Sequence, residues 1–170
     1  CDGAGNQQDL QDWLDANGGA SAIDNCSDVT WSNDFEVLSD ECGMTGSATV
    51  TFTATDDCGN TVTASATFTI EDTTAPEVIT PFDEELTVSC SEIPEAPELE
   101  FEDSCSTDVT VVFEETSTYD GEPGDYEITR EWIVTDECGN VAIFIQMIYV
   151  TNESNVEGGE IELCDDDDPI

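Results

Sequence analysis

Apolar and polar residues alternate over several long runs of the chain. Val50, Phe52 and Ala54 alternate with threonines, and Ile128, Trp132 and Val134 stand at even positions with Arg130, while Thr129, Glu131 and Thr135 take odd ones. A period of two carried by β-branched and aromatic residues fits a pleated, half-buried strand. The pattern predicts strands over 47–54, 61–70, 109–113, 126–135 and 141–150. Between the consecutive long strands stand Asp57-Cys58-Gly59-Asn60 and Glu137-Cys138-Gly139-Asn140, whose Gly and Asn supply the positive φ of a tight hairpin. Helical spacing is confined to Leu10, Trp13 and Leu14 within 6–16, stopped by Gly18-Gly19. The fold class expected is all-β with one short helix.

The chain also matches itself. Asp56-Asp57-Cys58-Gly59-Asn60 recurs as Asp136-Glu137-Cys138-Gly139-Asn140, 80 residues later, and Asp24-Asn25-Cys26 recurs as Asp103-Ser104-Cys105, 79 residues later. Phe68 and Ile70 map onto Ile148 and Val150. A period of about eighty residues is the size of a small β-sandwich, not of a solenoid turn. Two domains are expected, 1–72 and 73–151, joined at Glu71-Asp72-Thr73-Thr74-Ala75-Pro76, with 152–170 an acidic end segment or the start of a third repeat. The helix has no partner in the second copy, where the Pro-rich 91–97 replaces it, so it reads as a tolerated surface variation. Cys1 matches Cys90 but lacks the strand-like Leu86-Thr87-Val88 before it, so the first repeat is expected to lack its opening strand.

Charge then narrows the function. One Lys+Arg, namely Arg130, faces 42 Asp+Glu, with no His, for a formal net charge of −41. The chain has no imidazole base, no Schiff-base lysine and no basic cluster for phosphate. Its field repels nucleic acid and anionic membrane, so neither is expected as a partner, and no enzyme activity is expected. Such self-repulsion is relieved by salt, which screens charges beyond about 8 Å at physiological strength.

Eight cysteines without a His or a C-x-x-C spacing point to disulfides in an exported protein. All eight, Cys1, Cys26, Cys42, Cys58, Cys90, Cys105, Cys138 and Cys164, are expected in bridges. Repeat logic pairs Cys1 with Cys26, Cys90 with Cys105 and Cys42 with Cys58, leaving Cys138 and Cys164 as the remainder. Cys1 is an implausible native start, and the chain reads as a piece of a larger secreted precursor.

The segments Val29-Thr30-Trp31-Ser32-Asn33-Asp34-Phe35, Gly46-Ser47-Ala48-Thr49-Val50-Thr51-Phe52, Thr55-Asp56-Asp57-Cys58-Gly59-Asn60 and Glu71-Asp72-Thr73-Thr74-Ala75-Pro76 resemble the HYR-like, immunoglobulin-like repeats of very large Bacteroidetes cell-surface proteins. Tyr126-Glu127-Ile128-Thr129-Arg130-Glu131-Trp132 and the motif that follows resemble a second variant of these repeats, as in SprB-type gliding-motility adhesins of flavobacteria. The resemblance extends to about Thr151 and implies tandem immunoglobulin-like β-sandwiches in a cell-surface fibre exported by type IX secretion. Its implied role is attachment or gliding motility. Its implied partners are neighbouring repeats of the same chain, surface glycans or other cell-surface proteins, without membrane insertion. Glu122 stands where the family commonly has Cys, which leaves Cys138 without its usual partner. A spacer or binding module of a secreted enzyme, or a subunit of an extracellular filament or sheath, is the alternative.

Acidic side chains gather at the loops and the linker. Calcium takes six to eight oxygens and needs neither His nor Cys. The residues named for a calcium site are Asp24, Asp28, Asp56, Asp57, Glu71 and Asp72, against a plain solvated surface. Asp72-Thr73-Thr74 matches the Bacteroidetes O-glycosylation pattern, which places a glycan on Thr73. Arg130 lies on one strand face with Ile128 and Trp132, where its head group is expected to pair with a carboxylate.

Overall fold

The computed structural model describes residue 1, residues 7–122 and residues 124–151. The expected end segment 152–170, Cys164 within it, lies outside the described residues. Among the described residues one α-helix, α1 (Gln7–Asp15), precedes nine strands: β1 (Val29–Asn33), β2 (Gly46–Asp56), β3 (Thr61–Ile70), β4 (Glu77–Val78), β5 (Glu85–Ser89), β6 (Phe101–Glu102), β7 (Val109–Ser117), β8 (Tyr126–Asp136) and β9 (Val141–Thr151). The chain is β-rich with one short helix. Two compact units divide it. The first holds Cys1–Thr74 with the short segments Asp103–Asp108 and Glu137–Asn140; the second holds Ala75–Glu102, Val109–Asp136 and the chain from Val141.

In the first unit β1, β2 and β3 form an antiparallel sheet. Alternation sends Val50, Phe52, Ala54, Phe68 and Ile70 to one face, where all are buried. The other face carries hydroxyls, with Thr49 and Thr67 paired at 2.9 Å and Thr51 and Ser65 at 3.4 Å. Helix α1 closes the apolar face. Leu10 and Leu14 join the same buried cluster, and the Trp13 ring lies 5.3 Å from those of Phe52 and Phe68. The expectation of a surface variation is thus corrected: a stripe at i, i+3 and i+4 is the side of a helix that buries itself. After the helix the chain needs glycine at position 18, where φ is +63° and a Cβ would meet the Phe52 ring at 2.5 Å.

The second unit has a four-stranded sheet in the order β5-β9-β8-β7, parallel at β5–β9 and antiparallel elsewhere, and the two-stranded β4–β6. Ile128, Trp132, Val134, Ile148 and Val150 are its buried apolar residues. Its register repeats that of the first. Val29 pairs with Asp56 and Val109 with Asp136; Thr55 pairs with Thr61 and Thr135 with Val141, every residue shifted by 80. β1, β4 and β6 are additions to the strands read from sequence, and β4 and β6, of two residues each, are too short to show alternation.

Arg130 crosses the inner face of the second sheet and is only 3% exposed. Glu115, Arg130 and Gln146 stand in register on β7, β8 and β9. The guanidinium donates Nε–H to Glu115 Oε2 at 2.5 Å, Nη1–H to Gln146 Oε1 at 3.2 Å and Nη2–H to the Pro94 carbonyl at 2.6 Å. A buried cation is tolerated only when paired and hydrogen-bonded, and three acceptors meet that need. The carboxylate anticipated for Arg130 is Glu115. The Pro94 bond ties down the Pro-rich segment that replaces the helix in the second copy.

Candidate functional site in the cysteine-bearing loops

Two kinds of loop carry the repeated motifs, and each copy builds them alike. In the first copy Asp24 Oδ1 accepts the backbone N–H groups of Cys26 and Ser27, both at 2.8 Å. Asp56 Oδ1 accepts those of Cys58 (2.9 Å) and Asn60 (2.8 Å), while Asn60 Nδ2 donates to Asp56 Oδ2 at 2.7 Å. These are side-chain caps on turns, which is what short acidic residues do where backbone donors lack a ladder. Hydrogen bonds to the charged form stabilise it. The backbone donors of Cys26 and Ser27 hold Asp24 below the ordinary carboxylate range, and the Asn60 side chain, then its backbone, does so for Asp56.

The second copy repeats the design. Asp103 Oδ1 accepts the N–H groups of Cys105 (2.7 Å) and Ser106 (2.8 Å). Ser106 Oγ accepts the N–H of Glu137 at 3.2 Å, as Ser27 Oγ accepts that of Asp57 at 3.3 Å. Both copies therefore lock the Asp-x-Cys loop to the hairpin loop through one serine.

The cysteines do not pair as repeat logic expects. Cys1 is bonded to Cys105, with Cα atoms 4.4 Å apart, and Cys42 to Cys138, at 5.0 Å. These replace Cys1–Cys26, Cys42–Cys58, Cys90–Cys105 and Cys138–Cys164. Cys26 and Cys58, both expected in bridges, are free and exposed. Cys90 is disulfide-bonded. Equivalent places in two repeats say nothing of which sulfurs lie within bonding reach, and spacing alone leaves connectivity open. Repeat equivalence predicts staples within each copy; the structure bonds the cysteines of the first to the loops of the second.

Around these bonds the backbone closes in. Met44 N–H donates to the Cys105 carbonyl at 3.0 Å, the Cys1 amino group donates to the Ser104 carbonyl at 3.2 Å, and Asn140 Nδ2 donates to the Asp72 carbonyl at 3.3 Å. Gly43 adopts φ +54°, and a Cβ there would meet the Cys105 carbonyl oxygen at 2.6 Å. Cys105 is 0% exposed and Ser106 6%. Gly43 and Met44 have no counterpart motif in the second copy, and the one sign of their role in the sequence is a Gly beside a half-cystine.

Of the residues named for calcium, Asp24, Asp28, Asp56, Asp57 and Glu71 enter no group of three Asp, Glu, Cys or His donors among the described residues. Asp24 and Asp56 are engaged as turn caps instead. Asp72 has a carboxylate oxygen within 4.8 Å of one from Asp103, and its Oδ1 accepts from Thr74 N–H and Oγ1–H at 3.3 Å. Thr73 is exposed. No helix among the described residues is long and apolar enough to cross a membrane.

No protein-family model matches the chain, and no curated protein matches it.

Proposed function

We propose that the chain is a structural and adhesive repeat segment of a long, secreted cell-surface fibre, made of immunoglobulin-like, HYR-like modules with no enzymatic role. The observation that carries this reading is the repeated register: the pairings of β1 with β2 and β2 with β3 recur 80 residues later as β7 with β8 and β8 with β9, and each copy has the same serine-locked loops. A protein that repeats its framework and closes its loops with disulfides is built for reach and mechanical continuity. The cysteine-bonded loops suit an oxidising extracellular setting. The acidic surface keeps such a fibre hydrated and leaves nucleic acid and anionic membranes outside its range of partners. Its partners are neighbouring repeats, surface glycans or other cell-surface proteins. Attachment or gliding motility, and export by type IX secretion, follow from the resemblance to Bacteroidetes adhesins. Calcium shared by Asp72 and Asp103 would offset like-charge repulsion where those two carboxylates approach, and Thr73 is open to O-glycosylation.

The test is immunogold electron microscopy of intact producing cells with antibody against residues 1–151. Label on filaments projecting from the cell supports the fibre. Label confined to a released, soluble fraction, in a polypeptide that also holds a catalytic domain, overturns it in favour of an enzyme spacer.

A further inference from the structure

Cys26 and Cys58 are free and exposed, yet they stand where the second copy has bonded cysteines. The equivalence is structural. Cys58 and Cys138 each follow, by two residues, the Asp that pairs with the first residue of β1 or β7, Asp56 with Val29 and Asp136 with Val109. Cys26 and Cys105 each follow by two residues the Asp that caps them. In the second copy these cysteines are not bonded to one another. Cys105 is bonded to Cys1 and Cys138 to Cys42, both from the copy before. Since the first copy locks its two loops together by the same serine contact, its own Cys26 and Cys58 are held in the arrangement that, in the second, serves outside partners.

Resting on the fibre reading, we propose that Cys26 and Cys58 are the receiving half of a second double joint, bonded in the assembled fibre to counterparts of Cys1 and Cys42 in a repeat that stands ahead of this one in the same polypeptide. The known joint specifies that partner. It presents two cysteines about forty residues apart, the second followed by a glycine with positive φ that lies against the Cys26 carbonyl as Gly43 lies against that of Cys105. It is a repeat of the first copy's type, because the second copy has Glu122 at the position 80 residues after Cys42.

Each bond forms by thiol–disulfide exchange. The thiolate of Cys26 or Cys58 attacks a glutathione disulfide or an oxidoreductase disulfide and releases one thiolate. The partner cysteine's thiolate then attacks the mixed disulfide and releases the second. The two thiol protons end on the released thiols, and the oxidant takes up the two electrons.

The test extends the chain with residues 1–89, carrying Cys26→Ser and Cys58→Ser in the added copy alone, placed directly ahead of Cys1, which then stands where Cys90 does, and oxidises it in a glutathione buffer. Digestion at Asp and Glu without reduction is expected to yield Cys26 joined to the added counterpart of Cys1, and Cys58 joined to that of Cys42. The 170-residue chain alone is expected to take up two equivalents of maleimide, at Cys26 and Cys58. A Cys26–Cys58 bond in either chain, Cys26 and Cys58 of the 170-residue part still alkylatable in the extended chain, or bonds between separate molecules would overturn the proposal. As a folding control, extended Cys26→Ser/Cys58→Ser should keep its β-sheet circular dichroism while its added cysteines become alkylatable. Failure of the joint with filament labelling intact would remove the joint and leave the fibre reading standing.

Discussion

The sulfur of Cys42 is bonded to that of Cys138, 96 residues further on, and not to Cys58, the partner that the repeat predicts. This bond and Cys1–Cys105 end in segments 103–108 and 137–140 of the second copy, which belong to the compact unit that holds the first. A length of chain close to 100 residues closed by one disulfide restricts the unfolded ensemble by roughly 4.7 kcal/mol in the chain-entropy model.

Close backbone approach beside this bond makes Gly43 sensitive. Gly43→Ala adds a Cβ that meets the Cys105 carbonyl and forces a side chain into positive φ, whereas Gly59→Ala, at φ +87°, meets nothing within 4 Å. Each substitution carries the backbone strain of about 1–2 kcal/mol, and only Gly43→Ala adds the clash. Thermal unfolding should show Gly43→Ala melting several degrees below Gly59→Ala. Equal losses would mean that the approach at Cys105 relaxes freely.

Arg130 should dominate the stability of the second unit. Replacing it with Ala leaves Glu115 and Gln146 without their donor and empties the space around the stem, and breaking a buried pair costs about 3–5 kcal/mol. Glu115 has a side chain 29% exposed, so Glu115→Gln should cost distinctly less, because water screens what remains. Urea midpoints of the two variants check the order. Arg130→Lys, with one compact ammonium for three acceptors, should not restore the parent midpoint.

The turn caps predict an acid limit. Asp24 and Asp56 have folded pKa values below the ordinary 3.8, so their contribution is complete above that value and is lost as pH falls through the lower, folded pKa. Amide resonances of Cys26, Ser27, Cys58 and Asn60 should titrate with midpoints below 3.8. Midpoints at or above 3.8 would show that the carboxylates do not cap these turns.

Calcium, as proposed for Asp72 and Asp103, should raise the melting temperature more than sodium at matched ionic strength. Ions that bind only the folded chain stabilise it by about 2.7 kcal/mol at one hundred times the dissociation constant. Asp72→Asn should abolish the excess. Equal responses to the two salts would reduce these acids to screening.

The strands were legible because their period of two survives in Val50, Phe52, Ile128 and Trp132, and the register was legible because turn motifs recur at a fixed interval. Helix α1 was legible as a helix from Leu10, Trp13 and Leu14, but not its burial, since its absence from the other copy suggested an ornament. The strands at 77–78 and 101–102 have two residues each, too few to show any period. Disulfide partners were illegible for a different reason. Which sulfurs meet depends on where the loops at 26, 42, 58, 105 and 138 come to lie, and a repeat fixes only their equivalence. Asp24 and Asp56 look alike as metal ligands or turn caps in sequence; only the donors of Cys26, Ser27 and Asn60 separate the two roles.

Disulfide mapping of the oxidised 170-residue chain tests the covalent linkage between copies most directly. With Arg130 the one tryptic site, cleavage at Asp and Glu is required. After blocking free thiols and digesting without reduction, mass spectrometry should find Cys1 joined to Cys105, Cys42 joined to Cys138, and Cys26 and Cys58 carrying the blocking group. Peptides joining Cys1 to Cys26 and Cys42 to Cys58 would show two independently stapled repeats and contradict it.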